Sequence, residues 1–227
     1  MTHLIDREKE DYNELIISYK TLRMLVGIMG FFLPVSMLLS TCCGYARMQG
    51  SISDFYYTHM GDVFVGTLCA IALFLSTYNG YEKIDGIASR LAAGLALMVA
   101  FFPTHYTGSP CDQCSFHATQ YDPSIGHVHL ICASLLFLDL ALMSLFLFTK
   151  TEDEDNKTPR KKIRNGFYIV CGIIMIASLL VLGVYFLFQD KLAWMGEHNI
   201  IFWLETVMLF AFGTSWLVKA EVILKDK

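Results

Sequence analysis

Six of the seven histidines, His59, His105, His117, His127, His129 and His198, lie close in sequence to carboxylates or near the ends of apolar runs. The carboxylates among them are Asp54, Asp62, Asp112, Asp122, Glu197 and, within an apolar run, Glu205. Neutral imidazoles beside carboxylates form a common ligand set for zinc. His59, Asp62, His129 and His198 are the candidate metal ligands, and zinc the candidate cofactor. Water on such a metal is acidified toward neutral pH and attacks a carbonyl carbon. Glu205, or Glu197 nearer the surface, is placed to take its proton, and Ser53 to hold the carbonyl oxygen. The plainer reading is that each histidine sits in the membrane interface, satisfied by water and headgroups.

The cysteines offer different chemistry. Cys111 and Cys114 form a C-x-x-C pair, and Cys42 and Cys43 are adjacent at the end of the first apolar run. Pairs of this kind suit thiol exchange. They suit structural disulfides equally well in a compartment that permits oxidation. Cys69, Cys132 and Cys171 fall inside apolar runs and read as packing residues.

The elements that position these groups are membrane spans. The chain is 55% hydrophobic and only 17% charged, against about 25% charged in soluble domains. Its apolar residues gather into six runs: Leu22–Leu39, Val63–Asn79, Ile87–Phe102, Val128–Phe148, Phe167–Phe188 and Ile200–Val218. A spanning helix needs about 20 such residues. The expected fold is therefore all-α, a polytopic bundle of about six transmembrane helices in one domain over residues 1–227. Alternating strand patterns are absent, and the runs are too long and apolar for a barrel.

Fifteen of the seventeen Lys and Arg residues fall in the N-terminus, the connections near residues 80–90 and 149–166, and the C-terminus; only Arg47 and Lys191 fall in the other connections. Basic segments stay in the cytoplasm, so both termini are expected inside, in a plasma or inner membrane. The chemistry-bearing residues then face outward. No cleavable signal peptide is expected, because about twenty polar and amphipathic residues precede the first run. Residues 1–21 read either as an amphipathic interfacial helix or as a charged extension of the first span. The loop at 149–166 joins an acidic run to a basic one, and reads as a topology signal or a site for anionic headgroups. Membrane lipid is the expected partner. A second copy of the chain is a candidate, and nucleic acid is not expected.

Helical spacing predicts three polar faces turned inward. These are His129, Cys132, Leu136 and Asp139 in the fourth span, and His198, Glu205 and Phe212 in the sixth. The third is the stripe Asp62, Gly66, Cys69, Leu73, Ser76 and Gly80 in the second span. Asp139 and Glu205 lie well inside spans, where an ionisable group faces a cavity or a partner. Gly94 and Gly183 are hints of interrupted helices, as transporters use.

Ser51–Gly66 and Phe102-Pro-Thr104 resemble uncharacterised six-helix bacterial membrane proteins in which a Ser/Asp motif precedes the second span. More distantly the chain resembles the CREST superfamily of alkaline ceramidases and progestin/adipoQ-type receptors. That resemblance implies a zinc-dependent lipid amidase site, with Ser53, His59, Asp62, His129 and His198 in analogous parts. Those relatives have seven spans and an H-x-x-x-H in the last, which this chain lacks. The cysteine pairs resemble those of quinone-linked oxidoreductases, namely disulfide-bond-forming membrane proteins and vitamin K epoxide reductases. The expected function is thus a metal-dependent hydrolase of a lipid-like ester or amide, with an acyl chain entering between helices. Alternatives are an extracytoplasmic thiol–disulfide oxidoreductase and a non-enzymatic transporter or receptor.

The charge asymmetry makes a direct prediction. A reporter fused after Lys227 should be active only as a cytoplasmic fusion; an extracytoplasmic signal would overturn the orientation.

Overall fold

A computed structural model describes residues 2–80, 82–105, 123–150 and 159–224, with side chains described from residue 19 onward and not at Pro123. Six long helices form it: α1 (Thr2–Cys42), α2 (Gly61–Ser76), α3 (Lys83–Phe101), α4 (Pro123–Leu142, continued by a π-helical turn over Met143–Leu147), α5 (Pro159–Leu187) and α7 (Ile200–Lys219). A short α6 (Ala193–Glu197) precedes the last, and a 3-10 turn spans Ser53–Tyr57. Lipid offers a backbone no hydrogen bonds, so each apolar run closes its own as a helix. The protein is a polytopic helical membrane bundle.

Five helical segments are long and apolar enough to cross a bilayer: Tyr19–Cys42, Lys83–Phe101, Ser124–Leu147, Pro159–Leu187 and Ile200–Lys219. The sixth, α2, has only 16 residues. At 1.5 Å per residue it reaches about 24 Å, short of a hydrocarbon core of about 30 Å. The missing outer turn is supplied by the buried loop that precedes it.

Neighbours in the bundle follow the chain. Helix α1 packs on α2, α2 on α3, α3 on α4, α4 on α5, α5 on α7, and α7 back on α1. The six helices therefore close into a ring. Leu33, Phe64, Leu68, Leu136, Leu140 and Phe212 are buried within it, while Phe32, Leu39, Leu73, Ile131, Ile173 and Leu180 are exposed on its outside, where lipid lies.

The closing seam is built on glycine. A Cβ on Gly213 of α7 would stand 2.7 Å from the Phe31 ring and 2.8 Å from the Gly27 carbonyl oxygen of α1. One on Gly27 would stand 2.7 Å from Leu217 and 2.9 Å from the Gly213 carbonyl oxygen. Small residues here let two backbones meet, which is how helices associate where no hydrophobic force operates.

Several sequence expectations change. Helix α1 runs unbroken from Thr2 into the first span, so the N-terminal stretch extends that span rather than forming a separate helix. Helix α5 starts at Pro159, inside the segment expected to be a loop, because proline suits the first helical turn. Helices α3 and α5 pass through Gly94 and Gly183 uninterrupted. No strand occurs among the described residues.

The glycine seam predicts that Gly213→Leu separates α1 from α7. Its melting temperature in detergent should fall by several degrees, whereas Gly94→Leu, with nothing within 4 Å of the added Cβ, should leave it nearly unchanged. Equal melting temperatures for the two variants would contradict the close packing.

Candidate functional site: an apolar cavity under an outer loop

Between the helices of the ring lies a narrow, partly open cavity. Leu33 of α1, Phe64, Leu68 and Ile71 of α2, and Val99 of α3 wall one side. Ala133, Leu136, Phe137 and Leu140 of α4 and Leu209 and Phe212 of α7 wall the other. Its polar groups come from Ser53, in the loop that closes the outer end, and from Glu205 of α7.

That loop is buried although it is not regular helix. Ile52, Phe55 and Tyr57 are almost fully covered. Non-helical backbone at this depth needs protein partners for its polar groups. Helix α7 supplies them. The Ile52 N–H donates to Glu205 Oε2 at 2.6 Å, and the Ser53 backbone also hydrogen-bonds this carboxyl. In return Gly50 O accepts the Phe202 N–H at 3.0 Å, a first-turn donor that α7 cannot satisfy itself. Phe55 and Phe202 pack with ring centroids 6.0 Å apart. Glu205 lies five residues into α7, about 7–8 Å below its first residue. The loop descends to that depth and fills the outer turn that α2 lacks.

Other contacts fix the loop. The Asp54 N–H donates to Ser51 Oγ at 3.0 Å. Burial pushes the Asp54 carboxyl up to about 6, against the lowering effect of Ser51 hydrogen bonds. Tyr57 Oη donates to Thr104 O at 2.6 Å, tying the loop to the α3–α4 connection. Burial, with smaller effects from Tyr56 and Asp54, pushes that phenol up to about 12, so it stays a donor.

The expected ligands occupy different environments. His129 is buried, its Nδ1 2.7 Å from Phe102 O, so it ties α4 to the end of α3. His59 is exposed, 5.6 Å from the Tyr45 ring between centroids. Asp62, Glu197 and His198 are also exposed. His198 does not continue the face of α7. Asn199, at φ 54°, breaks the helical path before Ile200, and His198 Nδ1 lies 2.8 Å from Trp194 O of its own short helix. The seven-residue spacing from Glu205 therefore fails to predict its direction, while Glu205 and Phe212 do share the cavity face.

Among the described residues no three His, Cys, Asp or Glu side chains gather to hold a metal. His59, Asp62, His129 and His198 thus do not fit a zinc centre as placed. Cys42 and Cys43 are exposed free thiols. Cys111, Cys114, Asp112, His117 and Asp122 lie outside the described residues.

Two predicted faces divide. His129, Cys132 and Leu136 are buried as expected, and Asp139 is half-buried with Oδ2 covered and accepting no hydrogen bond. The α2 stripe points the other way. Asp62, Gly66, Leu73 and Ser76 are exposed, and Phe64, Leu68, Ile71 and Leu75 face inward. Polar residues near the ends of a span are satisfied by interfacial water, so polarity there does not mark the interior. No protein-family model, curated protein or solved structure matches the chain.

Removing the Glu205 acceptor should unpin the loop. Glu205→Leu leaves the Ile52 N–H buried without a partner, at about 1–3 kcal/mol. Glu205→Gln keeps an acceptor and should lose less. Thermal unfolding of both variants checks the order; Glu205→Leu as stable as the parent would refute the pinning role.

Proposed function

We propose that the protein binds a lipid-like amphiphile within the bundle, as a membrane receptor or carrier. The observation that supports this reading is a cavity with apolar walls from α1, α2, α3, α4 and α7 and polar groups from Ser53 and Glu205. Ligand sites combine apolar walls with few polar groups, as this cavity does. Its narrowness favours a single acyl chain. Ser53 and the Glu205 carboxyl suit a head that forms hydrogen bonds, such as a hydroxyl or amide.

Lipid hydrolysis would use the same cavity but needs an assembled nucleophile. The residues expected to hold a metal are dispersed among exposed and buried positions, so binding is the reading adopted.

A fluorescent monoacylglycerol, carrying hydroxyls and one chain, is a suitable probe. Ala133 lines the cavity, and Ala133→Phe should fill it and weaken binding about tenfold or more without unfolding the protein. Equal binding by parent and variant would place the probe elsewhere and refute the reading.

A further inference from the structure

Six buried hydroxyls are spent on the backbone. Thr58, Thr67, Ser89, Ser144, Thr206 and Ser215 each donate to a carbonyl oxygen at 2.6–3.1 Å. Ser53 differs. It is only 9% exposed, it lines the cavity, and its hydroxyl makes no hydrogen bond among the described residues. Buried hydroxyls normally find a partner, and a serine offers one donor and two acceptor lone pairs.

Glu205 shares this end of the cavity. The Ile52 N–H and the Ser53 backbone both hydrogen-bond its carboxyl. A carboxyl has about four lone-pair sites, so acceptor capacity remains toward the cavity that Glu205 lines. The loop accounts for the acids here: Glu205 holds its backbone, and Asp54 is bound by Ser51. It does not account for the Ser53 hydroxyl.

Acidic groups dominate the outer end. Asp54 is near enough to act on Glu205, and neither acid forms an ion pair among the described residues. The connections on this side hold two basic residues, Arg47 and Lys191, both exposed. Residues 106–122 contain neither Lys nor Arg. An anionic head in the cavity would lose its hydration and meet carboxyls with no counter-charge. An ammonium head would exchange its hydration for a buried pair, which gains little. A hydroxyl is the least costly to desolvate and matches both polar groups.

We propose that the cavity selects single-chain amphiphiles with an uncharged, hydroxyl-bearing head, and that the Ser53 side chain recognises that head. The proposal rests on the amphiphile-binding reading of the cavity and names the class of ligand. The ligand hydroxyl donates to the Glu205 carboxyl and accepts from Ser53 Oγ. Its chain lies among Leu33, Leu68, Leu136 and Phe212.

The test is competition against the fluorescent monoacylglycerol on the full chain in detergent. Unlabelled monoacylglycerol should bind at least about tenfold more tightly than the lysophosphatidate or the alkylamine of the same chain length. Ser53→Ala should weaken monoacylglycerol about fivefold, as for the loss of one hydrogen bond. It should leave the melting temperature and the exchange of the Ile52 amide unchanged, because Ser53 Oγ holds nothing within the protein. A lysophosphatidate or alkylamine that binds as tightly as monoacylglycerol would overturn the uncharged head. Unchanged affinity in Ser53→Ala, or a loss of affinity accompanied by a lower melting temperature, would overturn recognition by Ser53. In those cases weaker binding by Ala133→Phe would leave the amphiphile-binding reading standing. A parent that binds no monoacylglycerol, or an Ala133→Phe variant that binds it equally well, would end both.

Discussion

A carboxyl group within the hydrophobic ring holds a stretch of backbone that no helix could satisfy. Glu205 accepts the Ile52 N–H, and Gly50 O accepts the Phe202 N–H in exchange. Without this pairing the loop before α2 would bring unpaired N–H and C=O groups to membrane depth, each costing on the order of several kcal/mol. With it, the loop closes the outer end of the bundle, and α2 can be a turn shorter than a span. Both the cavity and its polar end depend on that arrangement.

The two ends of the bundle then differ in character. The outer end is closed by aromatic and hydroxyl side chains, with Phe55, Tyr57 and Thr58 buried under few charges. The inner end is charged, cross-linked by Glu221 and Asp85 and floored by Trp216, Tyr78 and Phe148. Between them the ring is apolar on both faces, toward lipid and toward the cavity. Its seams rely on close approach at Gly27 and Gly213 and on hydroxyls such as Ser89, whose Oγ donates to Leu75 O at 2.6 Å, and Ser144, whose Oγ donates to Tyr168 O at 2.9 Å.

Much of the fold is legible in the sequence because span length and the gathering of Lys and Arg are one-dimensional properties. The site is less so. Glu205 stands out as an acid inside an apolar run, and its inward direction follows from that alone. Spacing misdirects His198 because Asn199 interrupts the helix between it and Glu205, and no spacing rule contains that break. The stripe Asp62, Gly66, Cys69, Leu73, Ser76 and Gly80 reads as interior only when small and polar residues are weighed without regard to depth. Ile52 carries no signal at all, since it contributes a backbone N–H. Lys219 and Arg23 were legible only as orientation charges; their convergence with Arg164 is a tertiary fact, though Tyr78, Phe148, Tyr168 and Trp216 near the same span ends were a clue.

The central claim is that Glu205 holds the Ile52 amide at depth. Site-resolved hydrogen exchange of that amide, in parent protein and Glu205→Leu, tests it directly. The account predicts slow exchange in the parent and exchange accelerated by about tenfold or more in the variant, as expected for loss of about 1.4 kcal/mol or more of local protection. Fast exchange at Ile52 in the parent, or equal protection in both proteins, would contradict it.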